Sequence, residues 1–546
     1  MSVRMPDTLQ GGPYAKRWWA LGALCLSLVV IGMDNTVLNV ALPTLSKDLH
    51  PSASQLEWMV DSYTLVFAGL LLTMGALGDR FGRKRALNAG LLVFGIGSVA
   101  SAFAPSAGVL IATRALMGAG GAIIMPATLS IITNIFPSDE RGRAIGIWAG
   151  VSGLGIVVGP VMGGWLLENF WWGSVFLINV FVIGVALIYG WRVVPESKDP
   201  NATPLDPVGA GLSIAGLTAL VYGIIEAPSN GWTSAHTFTA IGAAAVLLTV
   251  FILWELRSEH PLLQMSFFKN PRFSAANISI SLVFFALFGS IFIITQYLQF
   301  VLGYTPLQAG VRVIPVATLI VASPLSAQLV ERFGSKLVVS AGLVLVSACL
   351  ALLSTVSPTG GYFLVAESLA LLGFGMGITM APATDSIMGS LPLAKAGVGS
   401  AMNDTTRQVG GALGVAVLGS VLTSSYASSI APALQGLAAS AAALAGDSVG
   451  GATEVAAQTG GSGAQALLQS AHAAFTTGMG DALLIAAGVA ATGAIIVGAF
   501  LPARAAPVAI EAESGDADQV VVGVDLREAS TRSSAASSLS SDPPER

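Results

Sequence analysis

The chain has 546 residues, of which 54% are apolar and 10% charged, against about 25% charged in ordinary soluble domains. Lys and Arg number 25, Asp and Glu 30, for a formal net charge of −5. So little charge cannot cover a soluble protein of this length, which leaves a polytopic membrane protein with the lipid bilayer as its main partner.

Residues 1–16 read as a cytoplasmic tail. Apolar runs of about 20 residues, enough to cross a hydrocarbon core, then recur along the chain. They fall near 18–44, 56–78, 85–104, 107–134, 142–167 and 172–194, a first six-helix bundle over 17–196. The first run is too long for a cleaved signal peptide and carries Asp34, so it reads as structure. Two runs near 207–227 and 237–255 form an inserted pair, 206–256. Residues 257–272 mix Leu, Met and Phe with charges and read as a cytoplasmic interfacial segment. Six further runs near 273–301, 306–330, 337–356, 361–387, 396–424 and 476–501 make a second bundle over 273–502. The total is fourteen, arranged six plus two plus six. Within the second bundle, residues 425–475 are rich in Ala, Gly and Ser and read as an outer loop with a short hairpin or amphipathic helix. Residues 503–546 are Ser- and acid-rich and read as a disordered cytoplasmic tail.

The basic residues support this count. Cytoplasmic loops carry an excess of Lys and Arg. With both termini inside, the inner loops and tails hold 21 of the 25 Lys and Arg. The outer loops hold Lys47 alone, and Arg114, Arg312 and Arg407 fall within spans. One missed or invented span would invert every loop beyond it and destroy the pattern.

An internal repeat is legible as well. Asp79-Arg80-Phe81-Gly82-Arg83-Lys84 after span 2 is matched by Glu331-Arg332-Phe333-Gly334-Ser335-Lys336 after span 10. Pro126-Ala127-Thr128 is echoed by Pro382-Ala383-Thr384, and Phe136-Pro137 by Leu391-Pro392, at nearly the same offset. Such symmetry marks transporters that alternate access by rocking one half against the other.

At these residues the chain resembles the major facilitator superfamily, in its fourteen-span drug/proton antiporter branch. Gly75 to Lys84 is similar to the signature loop between helices 2 and 3 of that superfamily. Met33-Asp34-Asn35-Thr36-Val37 through Pro43 resembles the first-helix motif of the branch. Arg114-Ala115-Leu116-Met117-Gly118 resembles the helix-4 motif, with Met117 where Gln is common. Gly155 with Gly159-Pro160-Val161-Met162-Gly163-Gly164 resembles the helix-5 antiporter motif. Trp172 to Asn179 is similar to the start of helix 6 in exporters of quaternary ammonium compounds and dyes.

Asp34 lies mid-span, where an ionised acid is costly unless paired or hydrated. An acid there can exchange a proton or neutralise a cationic substrate. One group doing both in turn is a minimal proton/cation antiporter. Arg114 is a cation within span 4 that needs a partner from another helix, and the resemblance implies proton coupling with Asp34. It also implies a substrate-site acid at Asp61 and at Asp404. Asp404 and Arg407 share a face of span 13 and can instead neutralise each other. Gln408 stands where dye exporters often carry a second acid, which weakens the expectation for dications.

Gly75, Asp79, Arg80, Gly82 and Arg83 read as a conformational latch, its glycines allowing close helix approach and a tight turn. Gly155, Gly159 and Gly163, four apart, form a small-residue ridge for close packing, joined by Pro160 and Gly164. Trp58, Tyr63, Phe284, Phe285 and Tyr297 are aromatic candidates for walls of a cation pocket.

The expected function is proton-coupled export of amphipathic cationic compounds, powered by the proton gradient with no cofactor, from a bacterial plasma membrane. The alternative is export of one metabolite or self-made antibiotic. No P-loop for ATP is present in the sequence. No metal site, enzyme activity, nucleic-acid partner or obligatory protein partner is expected. Cys25 and Cys349 both lie in apolar runs and outline neither a disulfide framework nor a zinc site.

Overall fold

The computed structural model describes residues 16–198, 206–391 and 396–502. The expected N-terminal tail, 1–16, lies outside the described residues except for Lys16, and the expected C-terminal tail, 503–546, lies wholly outside them. Every regular element among the described residues is helical. That follows from the solvent the sequence demands: hydrocarbon offers no partner for a backbone N–H or C=O, so each span must satisfy its own.

The first group of helices is α1 (Arg17–Leu49), α2 (Ala53–Phe81), α3 (Arg83–Ala102), α4 (Ala107–Ile135), α5 (Ser138–Asn169) and α6 (Ser174–Val193). Next come α7 (Pro207–Ile225), the single turn α8 (Ala227–Asn230) and α9 (Ala235–Arg257). The last group is α10 (Pro271–Gln296), α11 (Pro306–Arg312), α12 (Thr318–Leu353), α13 (Tyr362–Met388), α14 (Ala396–Ile430), α15 (Ala439–Asp447), α16 (Val449–Thr459) and α17 (Gly461–Phe500).

Among the described residues, 12 stretches are long and apolar enough to cross a membrane. One of them, Pro306–Leu353, has 48 residues. A straight helix of that length would reach about 70 Å, more than twice the hydrocarbon thickness of about 30 Å. It does not run straight. Gly334 interrupts it at φ 79° and ψ 156°. The matching turn between α2 and α3 is made by Gly82, at φ 119° and ψ 124°. Both conformations are ones that L side chains resist and glycine accepts. The sequence repeat is therefore also a repeat of backbone shape.

Long helices joined by short links reverse direction at each turn. Arg80, Arg83, Arg85, Arg141, Arg192, Arg257, Arg272 and Arg332 consequently gather at one end, the basic end. The opposite, base-poor end carries α8, α15 and α16.

Within the first group α1 packs on α5 and α6, α2 on α4, and α3 on α4 and α6. Within the last, α10 packs on α14, α12 on α13, and α17 on both α12 and α14. α7 and α9 pair with each other, and α7 rests on α2 and α14. The α1–α5 contact is a glycine seam. A Cβ on Gly155 would lie 2.7 Å from Gly32 Cα, and one on Gly159 only 2.1 Å from Thr36 Oγ1. A second seam joins α10 and α14: Cβ atoms on Gly410 and Gly414 would lie 2.3 Å from Ser281 O and 2.2 Å from Phe285 O.

The first and last groups meet through α2 with α14 and through α5 with α11. Several of these contacts sit at the base-poor end. Gln299 Nε2 donates to Val40 O at 2.9 Å, and Leu307 N–H to Glu168 Oε1 at 3.3 Å. The α15–α16 pair reaches across to α1 and α2: Ala53 N–H donates to Asp447 Oδ2 at 2.8 Å, and His50 Nδ1 lies 2.9 Å from Glu454 Oε2.

α2 starts at that end with a reciprocal cap. Ser52 Oγ accepts from Gln55 N–H at 3.2 Å while Gln55 Oε1 accepts from Ser52 N–H at 3.1 Å. We expect Ser52→Ala to cost about 1 kcal/mol, read as a small fall in Tm of the purified protein. A Tm unchanged from wild type would contradict a stabilising cap.

Candidate functional site

Five helices of the first group converge on one acid–base pair. Asp34 of α1 is 0% exposed and Arg114 of α4 is 1% exposed. Arg114 donates from Nη1 to Asp34 Oδ2. Its Nε donates to Met59 O of α2 at 3.1 Å. Its guanidinium lies over the Tyr63 ring of α2, 4.4 Å from the centroid. The second carboxylate oxygen, Asp34 Oδ1, accepts from Asn179 Nδ2 of α6 at 3.0 Å. Asn179 in turn lies 3.3 Å from Ser98 Oγ of α3, which donates to Phe176 O at 2.9 Å.

The local sequence makes this convergence possible. Gly118, one turn from Arg114, brings α4 against α2, since a Cβ there would lie 2.4 Å from Tyr63 O. Gly155 and Gly159 let α5 close over the turn of α1 that carries Asp34. The pair is thus buried, with backbone of α2 and α5 packed close around it.

In charge terms the pair is neutral while together and costly apart. A buried charge stripped of its partner costs about 3–5 kcal/mol. Arg114 nevertheless keeps two other favourable contacts, Met59 O and Tyr63, that do not involve Asp34. It can therefore stay in place when Asp34 is neutralised or turns to another cation.

Asp61 sits on the same helix as Met59 and Tyr63 but outside the network. It is 0% exposed, and neither carboxylate oxygen has a hydrogen-bond partner. Glu57, one turn away, is 1% exposed with Oε2 equally unpartnered. Asp404 is buried on α14 and lies 3.6 Å from Arg407 Nη1, while the Arg407 guanidinium stands 5.6 Å from the Phe284 ring centroid. Gln408, beside them, is buried with Oε1 unpartnered.

At the basic end Asp79 accepts from Arg83 Nε at 2.6 Å. The same turn is tied to the end of α6. Arg83 N–H donates to Ser197 O at 2.8 Å, Lys84 N–H to Glu196 Oε1 at 3.2 Å, and Lys84 Nζ to Trp191 O at 2.8 Å. Gly75 faces Pro126 of α4, where a Cβ would lie 3.2 Å from the proline Cβ. Arg80 stacks near Phe81, 5.8 Å from its centroid. These contacts are all within the first group.

Gly163 packs on Val37 of α1, whereas Gly164 packs on α11, where a Cβ would lie 2.5 Å from Leu307 Cα. Gly310 answers it, with a Cβ position 2.1 Å from Pro160 O. The helix-5 motif therefore has two faces, one toward α1 and one toward the other group.

Sequence reasoning singled out Asp34 and Arg114 as charges within apolar runs, and Asp61 and Asp404 through the family resemblance. The structure brings Asp34 and Arg114 together and holds Asp61 and Asp404 apart from them. Asn179, Ser98 and the Met59 carbonyl were not singled out, since neutral polar groups and backbone atoms give no charge signal. Glu57 was missed because it stands near the start of span 2. Its spacing of four from Asp61 was the available clue.

The fold and the buried acid–base pair describe a multi-pass helical membrane protein. The family model for the Major Facilitator Superfamily matches residues 24–415. The chain is 38% identical over 502 residues to the multidrug efflux pump LfrA of Mycolicibacterium smegmatis, covering 90% of this chain and 99% of that one. It is 32% identical to the tetracenomycin C resistance and export protein of Streptomyces glaucescens, covering 90% and 92%. Its fold is similar to the crystal structure of a bacterial homolog of the human lysosomal transporter Spinster in an inward-facing, unoccupied conformation. That match has TM-score 0.64 and 18% identity, over 91% of this chain and 100% of the other. The chain belongs to the Major Facilitator Superfamily.

Proposed function

We propose that this transporter is a proton-coupled multidrug exporter that moves amphipathic cations out of the cell by alternating access. The observation that carries the reading is the Asp34–Arg114 pair, a buried acid whose counter-ion makes two further contacts that do not involve it. A proton or an organic cation reaching Asp34 releases it from Arg114, which stays held by Met59 O and the Tyr63 ring. Substrate and proton thus compete for one carboxylate, which is the minimum an antiporter needs. Asp61 and Asp404 are the further acids that a cationic substrate meets. The names of the relatives support export of drugs, and the tetracenomycin relative keeps export of a single antibiotic as the second reading.

The same proposal sets the architecture at fourteen spans. Division of Pro306–Leu353 at Gly334 and inclusion of α5 raise the 12 apolar stretches to that number. The organisation is then a bundle over 17–196, an inserted pair over 206–256, an interfacial segment over 257–272 and a second bundle over 273–502, including outer loop 425–475. The basic end is cytoplasmic by the positive-inside rule. Both tails are then cytoplasmic in a bacterial inner membrane, and the protein works without a cofactor, on the proton gradient. The Asp79–Arg83 turn acts as the latch of the cytoplasmic side, re-pairing as the halves rock.

The test is efflux of a fluorescent organic cation from vesicles carrying the purified protein. Export is expected to accelerate when a pH gradient is imposed and to fall to the leak rate when an uncoupler collapses it. Efflux indifferent to the gradient would overturn the proposal.

A further inference from the structure

The base-poor end holds a cavity that the Asp34 network does not touch. Counted together with the solvent at its open mouth, the unfilled space is about 350 Å³, of which only a small part lies inside. Leu56 and Glu57 of α2, Phe292 and Gln296 of α10, Tyr426 of α14 and Asp447 of α15 line it, and its lining contains no Lys or Arg. Two carboxylates from different parts of the chain therefore face one space with aromatic walls and no counter-charge.

Glu57 is the anomaly. It is 1% exposed, and its Oε2 has no partner. Its side chain lies flat against α14 at Gly419, where a Cβ would come within 2.6 Å of Glu57 Cδ. The room for this glutamate is provided by a missing side chain on the facing helix. Ser420 of the same facing helix hydrogen-bonds to the carboxyl group, and the buried Oε2 is the oxygen left open to a partner from the cavity. Asp447 is held in place by Ala53 N–H at 2.8 Å on Oδ2, and burial pushes its carboxyl above the usual carboxylate range. Gln296 spends its amide N–H on Phe292 O at 3.1 Å, which leaves its carbonyl oxygen as an acceptor. Tyr426 spends its hydroxyl on Ala445 O at 2.9 Å and offers its ring.

We propose that Glu57 and Asp447 form a head-group site for organic ammonium ions at the outer end of the export path, walled by Phe292 and Tyr426. The carboxylates supply the charge, the rings supply cation–π attraction, and the apolar body of the molecule trails through the open mouth. Asp61, one turn from Glu57 toward the centre of α2, makes the acids a row along one helix face. A cation leaving the centre of the bundle then passes from acid to acid. This inference rests on the reading of the protein as a cation exporter.

The full-length protein in lipid nanodiscs tests it with two fluorescent probes of one shape. One carries a trimethylammonium head, and the other carries the neutral tert-butyl isostere. Glu57→Gln and Asp447→Asn are each expected to weaken binding of the charged probe about tenfold and to leave the neutral probe within about twofold. Glu57→Asp should recover part of the loss. Asp447 lies in the loop, so its variant keeps the test intact should Glu57→Gln fail to fold. Equal changes for both probes, or no change for the charged one, would overturn the site while leaving gradient-driven efflux untouched. Charge-selective binding without gradient-driven efflux would instead overturn the exporter reading and spare the site.

Discussion

Asp34→Asn is expected to abolish gradient-driven efflux, with the pumping rate falling on the order of 100-fold or more, the scale of losing a positioned acid–base group. The side chain keeps its size and its contact with Asn179 but can no longer carry a proton or a full negative charge. Arg114 is then left with Met59 O, Tyr63 and a neutral amide. Replacing the other partner has a different signature. Arg114→Met leaves Asp34 buried with a single neutral donor, Asn179. The loss should be about 3–5 kcal/mol of stability as well as coupling. The double variant Asp34→Asn with Arg114→Met removes both charges, so most of the lost stability should return while coupling stays absent. Tm in detergent and efflux in vesicles separate the two effects. Arg114→Lys should not rescue, because one ammonium cannot reproduce a planar group that reaches a carboxylate, a carbonyl and a ring at once. Asp34→Asn pumping at the wild-type rate under the same gradient would refute the central role given to this acid.

The second large effect is expected at the contact between α5 and α11. Gly310→Val places a branched side chain where even a Cβ would lie 2.1 Å from Pro160 O. The obstacle is backbone on both sides, so no rotamer relieves it. The base-poor ends of α5 and α11 must part, and the transporter should dwell in the state open at that end. Efflux is expected to fall about tenfold or more, in line with a clash worth several times RT. A cysteine placed at Ser46, buried beside Gly450 of α16, should react faster with a membrane-impermeant maleimide. Gly184→Ala serves as the control, because nothing lies within 4 Å of a Cβ there. Wild-type labelling and efflux in Gly310→Val would show that the contact is not a closure point.

How much of this was visible in the residues themselves depends on the kind of signal. Asp34 and Arg114 stood out because a lone charge in an apolar run is expensive and therefore conspicuous. Their pairing followed from resemblance, since they are 80 positions apart in the sequence. The remainder of the network is built from an amide, a hydroxyl and a carbonyl, groups too common in membrane helices to attract notice. The first glycine seam was readable from Gly155, Gly159 and Gly163 at regular spacing. The second, at Gly410 and Gly414, has the same spacing of four but was not singled out, and packing against Ser281 and Phe285 reveals it. Glu57 shows the limit most clearly. Its burial is produced by α14 and α15, which arrive from the far side of the chain, so its spacing of four from Asp61 marks the helix face but not the burial.

The paired turns at Gly82 and Gly334 carry one more consequence. Both keep the same unusual backbone, yet Arg83 is replaced by Ser335, and the ion pair that Asp79 makes with Arg83 has no equivalent donor after Glu331. A duplicated joint has kept its form and given up its fastener on one side. Added salt therefore has an ion pair to screen at the Gly82 turn and no matching one at the Gly334 turn.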